Sequence, residues 1–141
     1  MILYCNFEEL QALGAGADLL LDSGGFGAMG AVAAPPEAIA QVALLQPRLT
    51  GALQISTLEE QRWIRRAVAA ICTQLHERMD EKVLEYHPAH EQAVSYYFDY
   101  AHAFGVLRRL DEIGAEMAAM VELMAGGEVS DKSARGVRFA D

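Results

Sequence analysis

The residue pattern implies a predominantly α-helical α+β domain. Its core is a long antiparallel helical hairpin preceded by a small N-terminal β element, and self-association would complete a helical bundle. Apolar residues recur at three- and four-residue spacing through two long stretches, one on either side of Pro88. Two short β-prone runs, Ile2 to Cys5 and Ala52 to Ser56, each lead straight into helix-starting residues. Charge is sparse before Leu58 and dense from there to Ala125. Residues 1–125 therefore read as one domain with a small α+β part (1–57) and a helical hairpin (58–125). Residues 126–141 read as a polar, flexible tail, with Gly126-Gly127 ending the last helix.

After the first β-prone run, Asn6 suits an N-cap and Glu9, three residues on, suits its capping-box partner. The helix that follows carries Leu10 and Leu13, and Gly14 and Gly16 weaken its middle. Pro35-Pro36-Glu37 opens a short apolar helix, Ala38 to Leu45, which Pro47 ends. The alanines of that helix imply burial on more than one side. The second β-prone run repeats the first design, with Thr57 as cap and Glu60 as partner. Asn6-Phe7-Glu8-Glu9 and Thr57-Leu58-Glu59-Glu60 look alike because two helices start by the same physics. Each strand needs a partner, so the two are expected to pair.

From Leu58 to about Glu85, Ile64, Val68, Ile71, Leu75, Met79 and Val83 lie on one side of a helix about 40 Å long. Pro88 stops it by removing a donor and biasing His87 away from helix, and it suits the first position of the next one. The following stripe runs through Val94, Tyr97, Ala101, Phe104, Leu107, Leu110, Met117, Met120 and Met124. Gly105 is the weak point at which this segment is one helix or two. A hairpin of this length carries more apolar seam than residues 1–57 cover, which points to a second copy.

A formal charge of -9 disfavours nucleic acid and anionic membrane surfaces as partners. The apolar stretch from Ala28 to Leu45 is broken by Pro35-Pro36, so it fails as a membrane span. The first residues lack a basic segment, and Glu8 and Glu9 interrupt them, so no secretory signal is expected. Cys5 and Cys72 are too few for a disulfide framework or a zinc motif, and read as reduced thiols in the cytoplasm.

Chemistry-bearing side chains concentrate in Tyr86 to His102, which holds three of the four histidines and four of the five tyrosines. His87, His90 and Glu91 at the turn, and Asp99 with His102 further along, are the candidate metal ligands. His76 and Asp80 on the preceding helix are placed to join the turn cluster. Tyr96 and Tyr100 offer apolar area with a polar tip, and Arg62 and Arg66, with Arg65, offer an anion clamp, so these are the candidate ligand-binding residues. Gly25-Phe26-Gly27-Ala28-Met29-Gly30 matches the G-x-G-x-x-G spacing. Pro35 and Pro36 arrive too soon for the helix a dinucleotide needs, which leaves a glycine loop or a lid. His90-Glu91 lacks the second histidine of a zinc-protease motif.

Two functional readings follow. The first is a non-catalytic interaction module, without a cofactor, that self-associates or binds a protein partner through the hairpin. The alternative is a small metal- or ligand-binding helical enzyme that uses the 86–102 cluster with a divalent metal ion.

Overall fold

The computed structural model describes residues 1–23 and 35–129, with side chains to Ala125. The elements in order are β1 (Ile2–Tyr4), α1 (Phe7–Asp22), α2 (Pro36–Leu45), a 3-10 turn (Gln46–Arg48), β2 (Ala52–Gln54), α3 (Leu58–Glu85) and α4 (Glu91–Val129). The chain is mostly helical with a small sheet, as its pattern implies. The Gly24–Gly30 loop lies outside the described residues, as do residues 130–141 of the expected tail.

β1 and β2 pair antiparallel, with Leu3 opposite Leu53. Both leucines face the core, because alternation puts one residue of each three on the buried side. The backbone bonds from Cys5 to Gly51 and from Ile55 to Met1 extend the ladder at each end. Because the pair is antiparallel, α1 and α3 leave this short clasp from its opposite ends. Asn6 caps α1: its side chain accepts from Glu9 N, and Glu9 accepts from Asn6 N. At α3 only half of the expected box forms. Thr57 accepts from Glu60 N, but the Glu60 carboxylate accepts from Ser56 N and Arg48 instead.

α3 and α4 form the expected hairpin, with Pro88 in the turn. Pro88 does not open α4, which begins at Glu91. His90 takes the capping place: its carbonyl accepts from Val94 N, and its Nδ1 accepts from Gln92 N at 3.1 Å. His87 starts the turn, its carbonyl accepting from His90 N. α4 then runs without a break through Gly105, Gly114 and Gly126-Gly127 to Val129. Glycine costs a helix about 1 kcal/mol relative to alanine, which contacts elsewhere in a long helix readily offset.

The core joins all four helices and both strands. Leu13, Leu20, Leu45, Ile55, Ile64, Ile71, Leu75 and Leu110 are fully buried in it. On α4 the buried side is rotated from the expected stripe. Ala93, Ala103, Val106, Leu107 and Leu110 face inward, while Tyr97, Ala101 and Phe104 face out. Small residues let the helices approach, so bulk alone misplaces the seam. α2 buries one side only, through Ala38, Val42 and Leu45, and leaves Leu44 63% exposed.

Two glycines set the helix spacing. A β-carbon at Gly16 would lie 2.5 Å from Ile71 Cγ2, so α1 crosses α3 at that point. A β-carbon at Gly114 would lie 2.5 Å from Gln61 Nε2. Gln61 is buried there and donates to Leu110 O at 2.7 Å, which ties α3 to α4.

One ion pair fixes α4 against the N-terminal part. Arg109 donates through both terminal nitrogens to the Glu9 carboxylate, at 2.8 and 2.9 Å, and also to Tyr4 O at 3.2 Å. Glu9 is only 7% exposed. It thus serves the α1 cap and the tertiary bridge at once.

Candidate functional site

Helix geometry distributes the polar residues of 86–102 over three places. The first is the hairpin turn. Tyr86 and His90 stack, with ring centroids 4.0 Å apart, and His87 meets His90 edge-on at 5.7 Å. Lys82 lies over the Tyr86 ring and pairs with Glu85. The His90 Nδ1 lone pair is occupied by the α4 cap, and Glu91 is exposed. This arrangement closes the turn by stacking and capping.

The second place is the α1 side of α4. His102 Nδ1 donates to Phe98 O at 2.8 Å, a local helical bond. Its charge bears on Glu9, as well as on Asp99. The Asp99 carboxyl is pushed above its ordinary value by burial, against the opposing pull of His102. Asp99 and His102 are thus close, as their spacing implies, but they are separated from the turn cluster. Among the described residues, no three His, Cys, Asp or Glu side chains come together as a metal ion requires. His87, His90, Glu91, Asp99 and His102 do not form one site.

The third place is an open groove of about 450 Å³ between α3 and α4, on the face away from α1. Cys72, Thr73, His76 and Glu77 line it from α3, and Tyr100 and Phe104 line it from α4. His76 does not join the turn. It lies 3.3 Å from Asp80 through Nδ1 and meets the Tyr100 ring edge-on at 5.1 Å. Burial pushes the Cys72 thiol up to about 12, which favours its protonated form. Of the expected ligand-binding residues, Tyr100 lines this groove, and Tyr96 packs against the core beside it.

The arginines are spread out as well. Arg65 pairs with Asp111 across the hairpin. Arg66 reaches Gln41 of α2 at 3.4 Å, and Arg62 is exposed. Arg65 faces α4 and Arg66 faces α2, so the three do not converge on a clamp.

One further feature is a surface. The inward side of α4 continues past the body as Met117, Met120, Val121 and Met124. Met117 still packs on the core, whereas Met120, Val121 and Met124 are 54%, 58% and 69% exposed. α4 has 39 residues against 28 in α3, so its far end overhangs the body. Glu112, Glu116 and Glu122 are exposed along the same end.

The Met stripe was visible in the sequence, but the groove was not. Its one early sign is the i, i+4 spacing of His76 and Asp80, which places an imidazole and a carboxylate together on any helix. Among the described residues, no helix is long and apolar enough to cross a membrane. Set against family models, curated proteins and solved structures, the chain finds no match in any of the three.

Proposed function

We propose that this protein is a non-catalytic cytoplasmic interaction module that pairs with a second copy through the overhanging end of α4. The observation that carries this reading is the continuity of one apolar stripe. Residues that bury the core at Val106 and Leu110 are followed on the same side by Val121 and Met124, which face water. A contiguous apolar surface of this kind marks an interface more often than scattered single residues do.

A second copy fits the stripe better than an unrelated partner. Two α4 ends crossing antiparallel about Val121 place Met117 of each near Met124 of the other, an isologous contact. The same crossing carries each overhang, with Glu122, toward the partner's α3 start. Arg62 and Arg66 are exposed there, but Glu112, Glu116 and Glu122 are exposed along α4 itself, so the apolar stripe rather than charge supports the pairing. Methionines tolerate the imperfect packing of such a crossing. The free state of Cys5 and Cys72 supports a reducing location.

Sedimentation across a concentration series checks this directly. The full chain is expected to form dimers. The double variant Val121→Glu, Met124→Glu is expected to keep its helical circular dichroism and raise the dissociation constant by about two orders of magnitude. A wild-type chain that sediments as a monomer at every concentration would sink the proposal.

A further inference from the structure

We propose that the groove between α3 and α4 binds an organic ammonium ion that carries an apolar group. The hydrogen-bonding state of its walls points to that class. Thr73 Oγ1 donates to Ala69 O at 3.1 Å, so the hydroxyl proton is already used and its lone pairs face outward. The partner of His76 Nδ1 is a carboxylate oxygen of Asp80, which only accepts. The proton of a neutral His76 therefore sits on Nδ1, and Nε2 is left as an acceptor. Glu77 is a third acceptor. Its Oε1 is shielded from solvent and has no hydrogen-bond partner among the described residues.

None of the lining residues is lysine or arginine. The groove thus presents three kinds of acceptor and a carboxylate charge, with no lysine or arginine in its lining to answer them. The uncommitted protons, on the Tyr100 hydroxyl and the Cys72 thiol, are uncharged. A ligand that completes this site brings N–H donors and positive charge.

The remaining wall is aromatic. Tyr100 and Phe104 lie 5.8 Å apart at 32°, and Phe104 is 40% exposed in the bare groove. Ring faces attract cations, and ring area buries an attached apolar group. The volume lies at the lower end of the range for small-molecule sites, which suits one amine with one ring or short chain. The formal charge of -9 favours the approach of cations generally, but the acceptor set locates this one.

The test uses two probes of the same shape on the full chain, phenethylammonium and the neutral 2-phenylethanol, followed by two-dimensional amide NMR. The ammonium is expected to move the Thr73, His76, Glu77 and Tyr100 amides saturably, and to bind about ten-fold more tightly than the alcohol. Glu77→Gln is expected to remove most of that preference and leave alcohol binding unchanged. Phe104→Ala, at an exposed position, is expected to weaken both probes while amide signals elsewhere report an intact fold. Equal binding of the two probes, a preference that survives Glu77→Gln, or saturable shifts confined to another surface would each overturn the assignment. None of these outcomes depends on the oligomeric state.

Discussion

Arg109→Met is expected to lower folding stability by about 2–3 kcal/mol, although the side chain is partly exposed and far from α1 in sequence. The loss comes from Glu9 rather than from the arginine. With Arg109 gone, a carboxylate that is 7% exposed keeps only the Asn6 N–H as a donor. Breaking a fully buried pair costs about 3–5 kcal/mol, and the 38% exposure of the Arg109 side chain places this one lower. Methionine retains most of the apolar stem, so the measurement isolates the charge and its bonds.

The same pair predicts a pH dependence. Hydrogen bonds from Arg109 hold the Glu9 carboxyl below its ordinary value, with help from Asn6 N–H and against the effect of burial. A carboxylate held down in the folded state stabilises above its unfolded pKa, and that stability is lost as pH falls through the folded value. The gap between wild type and Arg109→Met is therefore expected to be full above about pH 5 and to shrink in acid. Urea unfolding of both proteins at a series of pH values measures it. A gap under about 0.5 kcal/mol at neutral pH, or one that does not change with pH, would remove the pair from its assigned place.

Gly16→Ala is expected to destabilise, by up to about 2 kcal/mol net, even though alanine is the better helix former. The helix gains about 1 kcal/mol from the exchange. Against this, the new methyl would sit 2.5 Å from Ile71 Cγ2 and 3.1 Å from Leu75 Cγ, both on fully buried side chains. Overpacking of this kind costs about 1–3 kcal/mol. Gly14 is the internal control. It is in the same helix, and a β-carbon there meets nothing within 4 Å. Gly14→Ala is expected to stabilise by up to about 1 kcal/mol. Thermal unfolding of the two variants separates propensity from packing, and a Gly16→Ala protein stabilised as much as Gly14→Ala would show that α1 and α3 do not cross there.

Local signals explain how much of the fold the sequence made legible. Caps, proline breaks and apolar period are short-range features, so the elements and the pairing of the two strands could be read from Asn6, Thr57, Pro36 and Pro88. Long-range contacts leave no such trace. Nothing near Arg109 marks Glu9 as its partner. Gly16 read as a weakness because its conformational cost is local, while its benefit belongs to the α1–α3 crossing. The site was harder still. His87 and His90 lie at the turn and Asp99 with His102 further along α4, the two places their spacing implies, while His76 lies apart in the groove. The groove draws its walls from residues some thirty positions apart, which only the hairpin register brings together.

The strand clasp has a consequence for how the chain reaches this state. α3 and α4 meet across a short turn, but Ile2 finds Gln54 only by closing a loop that contains α1 and α2. Loop closure costs entropy before its contacts return anything, so the hairpin is expected to lead in the folding transition state and the clasp to trail. Truncations at Leu75 and Leu110 should then slow refolding, while Leu3→Ala and Leu53→Ala should chiefly hasten unfolding. The reverse pattern in a chevron comparison would mean that the sheet nucleates the helices. On the expected order, β1 and β2 act as a latch shut over a body already assembled, and loosening the latch shortens the lifetime of the native state without delaying its arrival.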